Sequence, residues 1–247
     1  MTIIYFSATG NSKYVAIRLA KEGDKLLFIP DLIKNNTFEF EDDVIGIISP
    51  TYFWGLPSIV KDFLEKVKFK TNYLYFVATY GTTPGASNTI AKNIIKNRNI
   101  DSCYSIRMVD TYTPIFDIST KEKQNKFTKH TEEQIDNIIK SISKREHKNR
   151  MNRQSPAFIV NMISQPLYNN KKRKTNRFSV NESCIGCGLC AKKCPVKAIE
   201  IKDKKPVWIK DKCVMCLGCL HRCPKFAIEC GNKTKKHGQY QNPKAKI

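Results

Sequence analysis

The sequence predicts a doubly wound α/β domain around a parallel sheet (residues 1–148), followed by a small α+β domain (residues 178–247). Three observations support this division. Strand-like and helix-like segments alternate up to about residue 148. The cysteine-rich segment 184–200 recurs 29 residues later, at 213–229. Residues 1–148 carry 21 Lys+Arg against 17 Asp+Glu, whereas residues 149–247 carry 22 against 5, which indicates two modules with different roles.

Five short apolar stretches in the first module predict its strands, because they are rich in β-branched and aromatic residues. They span residues 3–6, 26–29, 44–49, 74–79 and 104–109. Apolar residues at helical spacing lie between and after them, and these helical faces comprise Ile59, Val60, Phe63, Leu64 and Val67, then Ile90, Ile94 and Ile95, then Ile135, Ile138, Ile139 and Ile142. Such alternation is typical of a parallel sheet covered by helices on both faces.

A hydroxyl-rich loop follows the first strand and precedes a helical pattern at residues 13–22. It reads Ser7-Ala8-Thr9-Gly10-Asn11-Ser12. The free N–H groups of a helix N-terminus and neighbouring hydroxyls form a phosphate site without a cationic side chain. The alternative is that the hydroxyls only cap the helix.

Two further loops follow the third and fourth strands. The first reads Ser49-Pro50-Thr51-Tyr52-Phe53-Trp54-Gly55-Leu56-Pro57 and the second Thr79-Tyr80-Gly81-Thr82-Thr83-Pro84-Gly85. In a doubly wound sheet these loops meet the first one at the carboxyl ends of neighbouring strands. Aromatic side chains at such a rim can stack on a planar ring.

The three loops together resemble those of the flavodoxin family, over roughly residues 1–148. The resemblance implies the strand order 2-1-3-4-5 and bound FMN. The residues that it assigns to the FMN phosphate are Ser7, Thr9, Gly10, Asn11 and Ser12, and those that it assigns to the flavin ring are Pro50, Thr51, Tyr52, Phe53, Trp54, Gly55, Thr79, Tyr80 and Gly81. Alternatively, the aromatic residues pack against the second module and no flavin is bound.

Residues 149–177 predict a basic linker, with seven basic residues and no acidic ones. A brief helical face runs through it, which Pro166 would shorten or kink; the face consists of Phe158, Ile159, Met162, Ile163 and Leu167. We expect this face to seal the gap between the two modules. The alternative is a basic amphipathic segment that lies on a membrane surface.

The second module consists of two copies of the pattern C-x-x-C-x-x-C-x-x-x-C-P, each between short predicted strands. This is the bacterial ferredoxin pattern, in which the fourth cysteine binds the other [4Fe-4S] cluster. The pattern assigns Cys184, Cys187, Cys190 and Cys223 to one cluster and Cys213, Cys216, Cys219 and Cys194 to the other. Structural zinc is the alternative, but zinc sites usually pair two C-x-x-C knuckles and need no third evenly spaced thiolate.

Three further cysteine and histidine residues are not expected to bind iron. Cys103 and Cys230 lie outside the spacing, which is typical of ordinary buried thiols. His221 lies between ligands, and we expect it to support the site or lie at the surface. Gly186, Gly188 and Gly218 are expected to let the backbone approach inorganic sulfur closely.

The segment 178–230 resembles two-cluster bacterial ferredoxins, and the whole chain resembles the fused flavodoxin–ferredoxin proteins of anaerobic bacteria and archaea. The resemblance implies an electron-transfer iron-sulfur flavoprotein with two [4Fe-4S] clusters and FMN. The alternative is an FMN-dependent reductase of a quinone or another small acceptor, with residues 111–129 covering its pocket. No catalytic acid or base stands out.

Composition and charge bound the location and partners of the protein. The start lacks a basic leader, and the uncharged run 44–60 is broken by two prolines, so we expect neither a signal peptide nor a membrane span. Ten cysteines in a reducing cytoplasm favour metal chemistry over disulfides. The net charge of +21 predicts a redox partner with an acidic docking surface. Nucleic-acid binding rests on charge alone, without a recognised binding fold.

Overall fold

The computed structural model describes residues 1–152, 154–245 and 247. Its first module is a six-stranded parallel sheet of order β2-β1-β4-β6-β7-β8. The strands are β1 (Thr2–Tyr5), β2 (Lys25–Phe28), β4 (Val44–Pro50), β6 (Tyr73–Tyr80), β7 (Ser102–Arg107) and β8 (Asn149–Arg150), and a separate parallel pair consists of β3 (Glu39–Glu41) and β5 (Lys68–Lys70). The predicted order of the first five strands is confirmed, and β8 extends the sheet two residues beyond the predicted boundary at residue 148.

Helices cover both faces of this sheet. They are α1 (Asn11–Leu19), α2 (Ile29–Lys34), α3 (Ser58–Leu64), α4 (Ser87–Ile94), α5 (Lys121–Thr128) and α6 (Thr131–Ser143). Because strand side chains alternate between faces, β6 sends Phe76 into the core under α3 and α4 and Tyr75 into the core under α1 and α6. The two cores fix the carboxyl ends of β1, β4 and β6 side by side.

One helix spans residues 157–172 between the modules, here called α7. Its α-helical turns Ala157–Ile159 and Gln165–Leu167 alternate with the π-helical turns Val160–Ser164 and Tyr168–Lys172. The helix passes through Pro166 without ending, since the wider π turns on either side accommodate the missing N–H.

The predicted inward face of α7 is wrong. Phe158, Ile159, Met162 and Ile163 are exposed, with Met162 at 75%. The buried side chains are instead those of Val160, Ser164, Gln165 and Tyr168, and Leu167 is half-buried. Tertiary packing selects the face that carries Gln165 and Tyr168, because these long side chains reach polar partners in both modules.

The second module has the expected duplicated arrangement. Its elements are β9 (Phe178–Val180), α8 (Leu189–Lys192), β10 (Ile199–Lys202), β11 (Lys205–Trp208), α9 (Gly218–Arg222), β12 (Ile228–Cys230) and α10 (Thr234–His237). Strand β9 pairs with β12, and β10 with β11, both antiparallel. After α10 the chain returns to the first module, where the Asn242 N–H donates to the Thr9 carbonyl at 2.7 Å. No helix among the described residues is long and apolar enough to cross a bilayer.

Candidate cofactor-binding sites

A cleft opens at the carboxyl ends of β1, β4 and β6, beneath the second module. Twelve of the fourteen residues predicted to bind FMN line it: Ser7, Thr9, Asn11, Ser12, Pro50, Thr51, Tyr52, Phe53, Trp54, Thr79, Tyr80 and Gly81. The sheet brings the three predicted loops together because its strands end at the same edge. The cleft is mostly apolar, with polar groups at the end formed by the first loop.

The first loop presents the N-terminus of α1 to the cleft. Gly10 adopts φ 97°, and its N–H donates to the Ser7 hydroxyl at 3.2 Å. The hydroxyls of Ser12 and Thr79 are hydrogen-bonded at 2.8 Å, which joins the loop to the end of β6. Asn11 is occupied structurally, since its amide donates to the Val109 carbonyl at 3.0 Å. The loop therefore offers backbone N–H groups and hydroxyls to an anion.

The second loop holds two aromatic residues in a tight turn. Tyr52 and Gly55 exchange backbone hydrogen bonds of 2.8 and 3.0 Å. Between them Phe53 and Trp54 both have positive φ, 48° and 61°. Glycine and asparagine normally fill such a turn, because a bulky side chain costs about 1 kcal/mol or more per left-handed residue. The turn keeps this strain and thereby directs two large aromatic side chains to the cleft.

Gly10 and Gly55 are the two predicted residues that do not line the cleft. A Cβ on Gly55 would lie 2.4 Å from Nε2 of Gln165, which donates to the carbonyls of Tyr52 and Phe53 at 3.2 and 3.1 Å. A Cβ on Gly10 would lie 2.3 Å from the carbonyl oxygen of Ala245. Both glycines therefore accommodate packing from outside the first module, by α7 and by the C-terminal residues.

The flavin-site prediction left out two groups of cleft residues, although residues 111–129 were expected to cover the pocket of the alternative reductase. The segment after β7 contributes Met108, Val109, Asp110, Thr111, Tyr112, Ile115 and Phe116, and the second module contributes Met215, Cys216 and Leu217. The first group could have been found by applying the rule on strand ends to the fifth strand as well. Asp110 is notable because burial raises the pKa of its carboxyl, against hydrogen bonds donated by the Tyr112 N–H and the Thr82 hydroxyl.

The eight patterned cysteines form two sets, each around its own cavity. The outer cysteine set is Cys184, Cys187, Cys190 and Cys223, and the inner cysteine set is Cys194, Cys213, Cys216 and Cys219. All eight thiols are free. Among the described residues no three Cys, His, Asp or Glu side chains are grouped to hold a single metal ion. Four thiols around a cavity fit a cluster that is larger than one ion.

The two sets differ in their surroundings. Cys187 of the outer set is exposed and Ile185 beside it is 60% exposed. Val214 is equivalent to Ile185 by the 29-residue offset and is 1% exposed. Burial raises the pKa of Cys213 in the inner set to about 12. Cys216 lines both the inner cavity and the cleft.

Equivalent backbone positions in the two copies are left-handed. Gly186 and Gly188 have φ of 67° and 72°, and their counterparts Met215 and Leu217 have φ of 55° and 54°. The outer copy thus adopts this conformation with glycines, whereas the inner copy adopts it with large side chains. The predicted close approach of these glycines to inorganic sulfur stays a prediction. Gly218 has a different role, because a Cβ there would lie 2.6 Å from the Arg222 guanidinium.

Aromatic residues connect the cleft to the inner set. Phe53 stacks on Tyr168 at 5.3 Å and meets Tyr112 edge-on at 5.2 Å. The Tyr168 hydroxyl donates to the Val214 carbonyl at 2.6 Å. Phe53 and Tyr52 therefore line the cleft and also pack against the second module, so their packing there does not by itself exclude a flavin in the cleft.

His221 is buried and forms hydrogen bonds to the protein. The Tyr240 N–H donates to Nδ1 at 3.2 Å, so Nε2 carries the proton and donates to the Thr111 carbonyl at 2.8 Å. Burial lowers the pKa of His221 to about 4, which keeps the ring neutral at pH 7. Both ring nitrogens are thus occupied by backbone groups. Cys103 and Cys230 are buried thiols, as expected.

Two family models match the chain. A model of the flavodoxin domain matches residues 2–137, and a model of the 4Fe-4S dicluster domain matches residues 183–228. The first module is therefore an FMN-binding domain, and the second holds at least one [4Fe-4S] cluster. A comparison with curated proteins gave no match.

Solved structures similar to the chain include a flavoprotein in complex with FMN from Lactobacillus acidophilus NCFM, at 17% identity and a TM-score of 0.32 over 42% of this chain and 91% of that one. A putative flavoprotein from Bacteroides eggerthii DSM 20697 shows 24% identity and a TM-score of 0.34 over 42% and 86%. A flavodoxin from the domain Archaea shows 11% identity and a TM-score of 0.28 over 57% and 99%.

These structural similarities are weak, so the assignment rests on the family models. The flavodoxin model matches more than half of the chain. The protein therefore belongs to the flavodoxin domain family, and its chain continues from that domain into a 4Fe-4S dicluster domain.

Proposed function

We propose that the protein is an electron-transfer iron-sulfur flavoprotein that relays single electrons between two [4Fe-4S] clusters and FMN. One observation carries the proposal: Cys216 lines both the inner cysteine cavity and the cleft. The two binding sites therefore share a wall that contains a predicted cluster ligand. FMN exchanges one or two electrons and each cluster exchanges one. Together they can convert a two-electron transfer into two single-electron transfers, and the reverse.

The residues of the cleft fit FMN at both ends. The Ser7–Ser12 loop would hold the phosphate through the N-terminal N–H groups of α1 and the hydroxyls around it. The strained turn at Phe53 and Trp54 would hold the flavin ring, together with Tyr80 and Tyr112. Tyr168 supports this turn from behind by stacking on Phe53. It also supports the inner loop, residues 213–219 of the inner cysteine set, through its hydrogen bond to the Val214 carbonyl.

The outer cysteine set supplies the contact with other proteins in this proposal. Its Cys187 is exposed, whereas Cys213 of the inner set is buried. Residues 149–247 carry 22 basic against 5 acidic residues, which favours encounter with a redox partner that has an acidic surface. Ligation by free thiols further favours a cytoplasmic location.

The test is the cofactor content of the holoprotein. Anaerobic reconstitution should yield about eight irons and one FMN per chain. Absorbance and EPR spectra should show two [4Fe-4S] centres. Two results would contradict the two-cluster relay. The first is an iron content of about one per chain. The second is an iron content of about four per chain together with a spectrum that does not change when either cysteine set is replaced.

A second candidate is an FMN-dependent reductase of a quinone or another small acceptor. The observation that favours it is the apolar mouth of the cleft, where Trp54 is 43% and Ile115 61% exposed. A planar acceptor could stack there beside the flavin. Turnover with a panel of soluble acceptors separates the candidates, since a carrier should reduce none of them at a rate that exceeds exchange with a protein partner.

A further inference from the structure

Arg222 is a buried cation without an anionic partner. Its side chain belongs to a residue only 7% exposed, directly before the cluster ligand Cys223. It donates from Nη1 to the Ala8 carbonyl at 2.7 Å and from Nη2 to the Lys193 carbonyl at 3.1 Å. Its Nε has no partner among the described residues, and none of their carboxylates forms an ion pair with it.

The position of Arg222 connects the two modules. Ala8 lies in the loop at the N-terminus of α1, and Lys193 precedes Cys194 of the inner cysteine set. The guanidinium also lies over Gly218, where it fills the space that a Cβ would need. Arg222 also borders the same cavity as Cys194 and Cys216 of the inner set. The Arg222 side chain thus contacts both the Ser7–Ser12 loop of the first module and the inner loop of the second.

A buried guanidinium that bonds only to neutral carbonyls is costly, because it loses its hydration without gaining an opposite charge. Proteins normally offset this cost with a carboxylate. The anions that could replace one here are the four thiolates and sulfides of a cluster in the inner set. A reduced cluster carries one more negative charge than an oxidised one, so a fixed cation beside it favours reduction.

We propose that Arg222 is a positioning residue that raises the reduction potential of the inner cluster above that of the outer cluster. The inference rests on the proposed function, since it requires a cluster in each set. In the step concerned, one electron leaves the outer cluster and enters the inner one, and Arg222 keeps its proton throughout. The gradient directs electrons from the exposed set toward the cleft.

The duplication supplies a matched control. Lys193 occupies the position equivalent to Arg222 by the 29-residue offset, directly before Cys194 of the inner set, and its side chain is exposed. Its charge is hydrated and screened by salt, so it should influence either cluster little. The Lys193→Gln variant therefore removes the same formal charge from the equivalent place without removing a buried cation.

The experiment is an anaerobic redox titration of the holoprotein, followed by EPR, with the wild type, Arg222→Gln, Arg222→Lys and Lys193→Gln. The wave that is lost in Cys187→Ser identifies the outer cluster. Two waves and full iron in the wild type test the proposed function; the variants test the inference. We expect Arg222→Gln to shift only the inner wave, to lower potential, by more than Lys193→Gln shifts either wave.

Two outcomes would overturn the inference: an inner wave unmoved in a fully loaded Arg222→Gln variant, or an equal shift of both waves. Should Arg222→Gln fail to assemble, Arg222→Lys decides, because lysine keeps the charge but cannot donate to both carbonyls from a fork. Its inner wave should remain within the change seen for Lys193→Gln. A drop of the inner potential in this charge-conserving variant would assign Arg222 a purely structural role.

Discussion

The outer loop (residues 184–190) and the inner loop (residues 213–219) have the same cysteine spacing and the same two left-handed backbone positions, yet their environments differ. Ile185 in the outer loop is 60% exposed, and Val214 at the equivalent place is 1% exposed. The outer loop uses Gly186 at a left-handed position where the inner loop uses Met215. The comparison shows that the repeated sequence gives both copies the same cysteine spacing. The surrounding residues decide that one loop lies at the surface and the other beside the cleft.

The strain at Met215 and Leu217 has a physical explanation. A left-handed non-glycine residue costs about 1 kcal/mol or more. Burial of a large apolar side chain returns about 1.5–3 kcal/mol, and both residues are at least 97% buried. The inner loop can therefore keep large side chains there, and both line the cleft. In the outer loop a Cβ on Gly186 would lie 2.8 Å from the Lys204 carbonyl oxygen, so a large side chain has no room there.

The largest effect should come from removing one ligand from each set. Cys216→Ser and Cys187→Ser should each lose about half of the iron, since each disrupts one four-cysteine cage. Only Cys216 lines the cleft, so only Cys216→Ser should also weaken FMN binding. Iron analysis and flavin absorbance after gel filtration measure both quantities. Equal loss of FMN from the two variants would remove the distinction between the sets.

Truncation at the equivalent apolar positions should come next in size. Val214→Ala should lower the free energy of unfolding by about 2 kcal/mol, through lost burial and a cavity. Ile185→Ala should change it by less than about 0.5 kcal/mol, because the side chain is already in water. Anaerobic denaturant unfolding of the holoproteins measures the difference. Similar losses in both variants would show that the outer loop is covered in solution.

The left-handed positions provide a smaller test. Gly188→Ala should cost about 1 kcal/mol of unfolding free energy, since the added Cβ would meet only Ile201 at an ordinary 3.8 Å and the backbone strain remains. Leu217→Gly relieves similar strain but loses more in burial, so it should also destabilise the protein. The same unfolding measurement applies. A stabilised Leu217→Gly variant would mean that the Leu217 side chain contributes little to the cleft wall.

The smallest effect concerns the pH dependence on the cleft side. Burial raises the folded-state pKa of Asp110 above its usual value, so the folded state binds this proton more tightly than the unfolded state. Its contribution to stability is full below the unfolded pKa of about 3.8 and is lost as pH rises through the folded pKa. Acidification from neutral pH toward the unfolded pKa of about 3.8 should therefore favour the wild type relative to Asp110→Asn.

Calorimetry of the two anaerobic holoproteins across this range measures the difference in unfolding temperature. Thr82→Val serves as a control, because it removes one hydrogen bond to Asp110 while keeping the carboxyl. A difference between wild type and Asp110→Asn that does not change with pH would show that Asp110 titrates normally and that the cleft is wet at this point.

Local patterns were sufficient for most of the fold. The five main strands were predicted to within two residues, because strand periodicity is a short-range property. The eight cysteines group around two cavities in the sets that their spacing indicated, and their binding of clusters stays a prediction. The face of α7 was predicted wrongly. Its helical periodicity predicted that Phe158 and Met162 face the protein interior. The buried face instead carries Gln165 and Tyr168, whose side chains form hydrogen bonds to residues far away in the sequence.

The sequence by itself determined the main strands, the loops at their carboxyl ends and the spacing of the eight cysteines, while the strand order was implied by the resemblance to the flavodoxin family. Only the tertiary structure decided which cage faces the cleft, that Arg222 connects it to the Ala8 carbonyl, and that Gly10 and Gly55 accommodate distant segments. The physical reason is range. Periodicity and spacing act over a few residues, whereas burial depends on which surfaces meet across more than 200 positions of the chain.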